Sequence, residues 1–170
     1  MAIGGASAGA NLAAVVTQRT IKEPITKFHG FVSQLLVVPV ADNSATVDSN
    51  PTWRENQFTA SLTAEKMTWY RKHYLPNKDD WTKPEASPLF FPSSHMSRLP
   101  PALIIVAEVD ILRNEAEQYA RKLQTAGVSV DLRVFPGMPH PFLAMDSVLT
   151  AGRSAITLLC ETLAKAFDLI

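Results

Sequence analysis

Three residues of this chain have the types and the order for nucleophilic chemistry: Ser7, Asp110 and His140. A serine hydroxyl is a poor nucleophile until a neighbouring base takes its proton. Histidine titrates near neutrality and can be that base. An aspartate beside it orients the imidazole and stabilises its charged form. Ser7 sits in Gly5-Ala6-Ser7-Ala8-Gly9, a G-x-S-x-G pattern. Gly5 and Gly9 let the backbone pack around a sharp turn from strand to helix, and Ala6 and Ala8 add little bulk. At a helix N-terminus, backbone N–H groups favour developing negative charge, and the Ala8 N–H is the natural oxyanion donor.

These side chains work only if the fold brings them together, and the elements around them are legible. Residues 2 to 5 read as a strand, and Ala8 to Arg19 as a helix with Leu12, Val15 and Val16 on one face. Pro24 stops that helix. Phe31 to Val38 ("FVSQLLVV") and "ALIIVAEVD" from Ala102 are continuous apolar runs, as expected of parallel strands buried on both faces. Residues 41 to 100 are polar, hold most of the prolines and contain all three tryptophans, and they read as a lid-like or cap-like excursion from the sheet. Helices are expected there from Trp53 to Ala60 and from Thr63 to Tyr74, the second with Thr63 as N-cap. Arg113 to Ala126 reads as a helix capped by Gly127. Val128 to Phe135 alternates as a strand, and Ser147 to Phe167 reads as a long helix. Alternating strands and helices imply an α/β fold with a parallel sheet. In such sheets functional residues gather on loops past the strand C-termini, where Ser7, Asp110 and His140 all fall.

Composition narrows the function. At 46% hydrophobic and 19% charged, the chain is an ordinary globular domain. Lys plus Arg and Asp plus Glu both number 16, so there is no basic surplus to attract nucleic acid. No apolar run reaches the roughly 18 residues of a membrane span. The uncharged first 18 residues lack the basic start of a signal peptide. The lone Cys160 excludes an intramolecular disulfide, reads as a small buried hydrophobe and fits a cytoplasmic location. His29, His73 and His95 have no ligand spacing, so no metal or other cofactor is expected. Trp53, Trp69 and Trp81 either line a substrate pocket or pack the excursion onto the sheet, with Trp69 as the pocket candidate. Met138 and Phe142 flank His140, where substrate contact and core packing explain them equally. Glu108 is a second candidate acid or a solvent-facing cap, and Glu115 and Glu117 read as the charged first turn of a helix.

The segments "GASAGANLA", Asp110-Ile111-Leu112-Arg113-Asn114-Glu115 and Phe135-Pro136-Gly137-Met138-Pro139-His140-Pro141-Phe142 resemble the hormone-sensitive-lipase-like family of α/β-hydrolase esterases. That family shows a G-D-S-A-G-G elbow followed by N-L-A, a strand ending in D-P-L-R-D-E, and Y-P-G-x-x-H-G-F. The resemblance implies a partial α/β-hydrolase fold of about four parallel strands, with residues 1–170 as one truncated domain starting at the elbow. It implies residues 41–85 as a cap-like insertion, Ser7 as nucleophile, Asp110 as acid and His140 as base. The expected activity is hydrolysis of short- to medium-chain carboxylic esters through an acyl-enzyme. The family's H-G-G-G oxyanion loop is not among these residues, and Ala6 and Pro141 replace its Asp and Gly. Two other readings stand beside it: a catalytically silent homologue acting as a binding or assembly module, and a non-hydrolytic cyclisation or elimination enzyme. The open edge of the first strand implies a homo-oligomer.

Overall fold

The computed structural model describes residues 1–169 apart from 24, 25 and 27. Its frame is a parallel sheet in sequential order: β1 (Ala2–Ala6), β2 (Ser33–Val37), β3 (Ala102–Val109) and β4 (Val130–Pro139). Ile3 pairs with Gln34, Leu36 with Ile104, and Ile104 with Leu132. Helix α1 (Ala8–Lys22) links β1 to β2 and α5 (Arg113–Thr125) links β3 to β4, while α6 (Thr150–Ala166) follows β4. Between β2 and β3 lies the excursion, with α2 (Pro51–Glu55), α3 (Ala64–Tyr74) and the single turn α4 (Ser93–Met96).

Alternation along the two central strands builds a core on each face of the sheet. Leu36, Ile104 and Val106 meet Ala10, Ala13 and Ala14 of α1 and Ala116, Tyr119, Ala120 and Leu123 of α5. Leu35, Val37, Leu103 and Ile105 point the other way, onto Ala155 of α6 and onto Phe142 in the turn before it. The excursion carries its own small core, in which Val40, Trp53, Leu62 and Met67 pack on Ile111 and Leu112.

Several local expectations shift. Helix α1 buries its alanine side, and Leu12 and Val16 are exposed, because alanines permit close approach to the sheet. Its buried amide groups donate across to the neighbouring loops: Asn11 Nδ2 to the Val40 and Ala86 carbonyls (2.7 and 2.8 Å), and Gln18 Nε2 to the Pro88 carbonyl (3.0 Å). The helix ends at Lys22, with the Glu23 N–H on the Arg19 carbonyl. Pro24, the expected stop, lies outside the described residues. Helix α2 starts earlier than expected because Asn50 Oδ1 caps it and Pro51 takes its first position. Thr63 caps α3 through the Lys66 N–H at 3.1 Å, as expected. Cys160 is exposed, because α6 turns only one side to the sheet. No helix among the described residues is long and apolar enough to cross a membrane.

Glu115 corrects the expectation of a solvated first turn. It is fully buried, one turn before Tyr119 on the inner side of α5. Its Oε1 accepts the Ala41 and Asp42 N–H groups (2.9 and 3.1 Å), and its Oε2 accepts Trp53 Nε1–H (3.2 Å). The carboxyl thereby ties α5 to the loop after β2 and to α2. Burial pushes it up to about 8, the Asp42 charge adds to the rise, and the three donors oppose it. An unfolded glutamate titrates near ~4.3. The folded chain therefore keeps a proton that the unfolded chain has released between those values. Stability from this group is fully present below the unfolded value and is lost as pH rises through about 8. Urea unfolding at about pH 5 and about pH 8.5 should show a fall in wild-type stability that Glu115→Gln, which cannot ionise, flattens. Parallel pH dependences would count against this.

Candidate active site

Ser7, Asp110 and His140 each follow the end of a different strand. Ser7 follows β1 and stands at φ 56°, ψ −121°, a conformation that a non-glycine residue adopts only when its surroundings hold it there. They do so here: the Ser7 N–H donates to the Val37 carbonyl at 2.8 Å, and the Ser7 carbonyl accepts the Asn11 N–H at 3.0 Å. Val38, next along β2, also has a positive φ, 42°, and its N–H donates to the Ile105 carbonyl at 2.7 Å. Helix α1 begins directly at Ala8, which is exposed and borders the same cavity as Ser7.

Asp110 follows β3 and is 1% exposed at its side chain, and His140 follows β4 at 12%. His140 Nδ1 lies 2.8 Å from Asp110 Oδ2, and His140 Nε2 lies 2.9 Å from Ser7 Oγ. A carboxylate cannot donate, so Nδ1 carries the proton toward Asp110. In neutral imidazole Nε2 is then the acceptor, and the serine hydroxyl donates to it. The other oxygen, Asp110 Oδ1, accepts the Leu112 N–H at 3.0 Å. The three residues taken from the sequence thus form one continuous hydrogen-bonded relay, in which the imidazole lone pair accepts the serine hydroxyl.

Glu108 stands apart from the relay. Its carboxylate accepts the Gly137 N–H at 2.7 Å and so braces the end of β4 just before His140. Gly137 has a φ of 68°, which suits glycine at that turn.

Ser7 and His140 open into a cavity of about 740 Å³. Its opposite wall is α3 and the turn before it, with Leu62, Met67, Tyr70 and Tyr74 prominent. The three sequence candidates for this pocket lie elsewhere. Trp69 is exposed on another side of α3, beside a separate cavity of about 520 Å³. Phe142 is fully buried and Met138 packs partly buried on the same core beneath α6, so packing accounts for both. Trp53 is buried, and with Trp81 it sandwiches the Arg71 guanidinium at 4.9 and 5.0 Å. Tyr70 and Tyr74 sit at i and i+4, a spacing that marks one helix face, but nothing in the sequence says which face meets Ser7. Among the described residues, no group of three or more His, Cys, Asp or Glu is placed to hold a metal.

A family profile described as the alpha/beta hydrolase fold matches residues 1–144. The chain belongs to that family. An AB hydrolase superfamily protein of Schizosaccharomyces pombe is 48% identical over 153 residues, covering 90% of this chain and 45% of the relative. Carboxylic ester hydrolase LipN of Mycobacterium tuberculosis is 40% identical over 147 residues, covering 84% of this chain and 37% of the relative. The crystal structure of carboxyl esterase 2 from Tuber melanosporum superposes with a TM-score of 0.90 at 27% identity, over 98% of this chain and 54% of that one. A hyperthermophilic esterase from Pyrobaculum calidifontis gives 0.88 at 32% identity, over 96% and 50%. The chain spans about half the length of the proteins it matches. The resemblance read from the elbow, acid and histidine segments thus leads to esterase relatives.

Within this alpha/beta hydrolase chain the two elbow glycines are not equivalent. A Cβ on Gly5 would meet the Gly9 carbonyl carbon at 2.4 Å and its oxygen at 2.5 Å, whereas a Cβ on Gly9 meets nothing within 4 Å. The close approach is made by Gly5 against the first turn of α1. Gly5→Ala should cost at least ~1–3 kcal/mol through overpacking. Gly9→Ala should change stability by less than ~1 kcal/mol. Urea midpoints of the two variants check this, and equal midpoints would contradict it.

Proposed function

We propose that this chain carries the catalytic triad of a carboxylic-ester hydrolase, with Ser7 as nucleophile, His140 as general base and then general acid, and Asp110 as the acid that orients it. The observation that carries the reading is the relay from Ser7 Oγ through His140 to Asp110 at 2.9 and 2.8 Å. Ser7 Oγ attacks the ester carbonyl as its proton passes to His140 Nε2. The imidazolium then protonates the leaving alkoxide, and an acyl group remains on Ser7. Water, deprotonated by the same imidazole, releases the carboxylic acid. In this reading the Ala8 N–H donates to the oxyanion, which the start of α1 at Ala8, beside Ser7 on the same cavity, supports. The family's H-G-G-G loop, the usual source of the remaining donors, is not among these residues. Residues 41–85 serve as the cap over the cavity, a role supported by the wall that α3 gives it. Short- to medium-chain esters fit its size and its apolar and tyrosine lining.

A fluorophosphonate tests the nucleophile directly, because it labels an activated serine without completing turnover. Labelling should be stoichiometric at Ser7 and abolished by Ser7→Ala. Hydrolysis of p-nitrophenyl acetate and butyrate should fall at least ~10³-fold in the same variant. Equal rates for the two proteins, with no labelling, would favour the silent binding module. An intact native reaction in Ser7→Ala would favour a non-hydrolytic use of the cavity.

The outer edge of β1 has no strand beside it among the described residues, which supports self-association by strand pairing. Light scattering at micromolar concentration should report a dimer or larger species, and a clean monomer would refute it.

A further inference from the structure

The acid of the proposed triad sits where the sheet holds it poorly. The register between β3 and β4 shifts between Ala107 and Val109, so the ladder is irregular just before Asp110. We propose that α2 and the turn after it are the positioning element for Asp110, a proposal that rests on the triad reading above. Three side chains of this segment donate to three consecutive carbonyls of the acid loop. Thr52 Oγ1 reaches the Ile111 oxygen at 2.7 Å, Asn56 Nδ2 the Asp110 oxygen at 3.3 Å, and Thr59 Oγ1 the Val109 oxygen at 3.2 Å.

The pattern is specific in order as well as number. Positions 52, 56 and 59 are spaced by four and three residues, so they follow one face of a helix and its continuing turn. They meet the loop in reverse order, so the segment runs antiparallel to it and clamps it along its length. The Thr52 hydroxyl also accepts the Asn114 N–H at 3.2 Å, closing a bridge across the first turn of α5. Trp53 fixes the other side of α2 through Glu115. Asp110 then has every acceptor engaged: its carbonyl by Asn56, Oδ1 by the Leu112 N–H and Oδ2 by His140. The clamp sets the backbone, the Leu112 N–H sets the plane of the carboxylate, and together they decide where Nδ1 of His140 finds its partner. Thr52, Asn56 and Thr59 are positioning residues, because they act on the reaction only through Asp110.

The His140 Nδ1–H donated to Asp110 gives a low-field proton resonance whose position and solvent exchange report that bond, whether or not ester turns over. The experiment records it in the full chain, with His140→Gln identifying the signal. In Thr52→Val/Asn56→Leu the resonance should move and exchange with water at least ~10-fold faster, the fold-change of about one lost hydrogen bond. Thr52→Ser, which keeps the hydroxyl, should leave it unchanged. Near-UV circular dichroism establishes that the double variant is folded. Should it fail to fold, Thr59→Val, which removes one outer member of the clamp, is read in the same way. A folded variant with an unaltered resonance and exchange rate overturns the clamp while leaving the triad standing. Loss of fluorophosphonate labelling in the wild type, with the resonance still responding to these variants, would instead sink the catalytic reading and keep the clamp.

Discussion

A carboxylate that is 1% exposed cannot stand alone, and the charge of Asp110 is the constraint around which this molecule is arranged. Its donors come from different places: the Leu112 N–H from the start of α5, and the His140 imidazole from the far end of β4. Bringing them together requires β3 and β4 to run side by side in the same direction, so that both loops leave at one end. The same parallelism places β1 so that Ser7 arrives at the other nitrogen of the ring. The sheet thus does what no local sequence can do, gathering three strand ends from across the chain within hydrogen-bonding distance.

A second buried carboxylate lies five positions further on and answers a different need. Asp110 has a histidine as partner, whereas Glu115 has only N–H donors, and burial drives it toward its neutral form. Its place is architectural: it binds the start of the excursion to the helix that follows the acid. With Asn11 holding the Val40 carbonyl from α1, the loop after β2 is secured from both sides, and that loop forms part of the cavity floor. That floor is therefore fastened to the two helices that follow Ser7 and Asp110.

Most of the frame was legible because hydrophobic period is a strong signal. The runs around Leu36 and Ile104 read as doubly buried strands and are the central strands. Ser7, Asp110 and His140 were legible because their types, order and strand-end positions agree with one another. What sequence could not supply were relations across distance. Leu12 and Val16 looked like a core face, but whether a helix presents leucine or alanine to a sheet depends on how close it comes. Trp69 lies on α3 among residues that line the cavity, yet its own side of the helix faces elsewhere. Met138 and Phe142 flank the histidine in sequence, but the end of β4 and the turn after it send them into the core beneath α6. Glu115 did carry a local sign, since it falls in line with Tyr119 and Leu123, but a charged residue early in a helix has an ordinary explanation that hid it.

The sequential strand order has a temporal meaning too. His140 is made 133 residues after Ser7, and each of the four described strands can add beside the one before it without waiting for a distant segment. The turn at Ser7 can form while the imidazole that its hydroxyl will meet is still to be made. The hydrogen bond between the two residues arrives only when β4 joins the outer edge of β3 and brings the imidazole to the serine. In this topology β4 is the strand that completes the hydrogen-bonded line from Ser7 to Asp110.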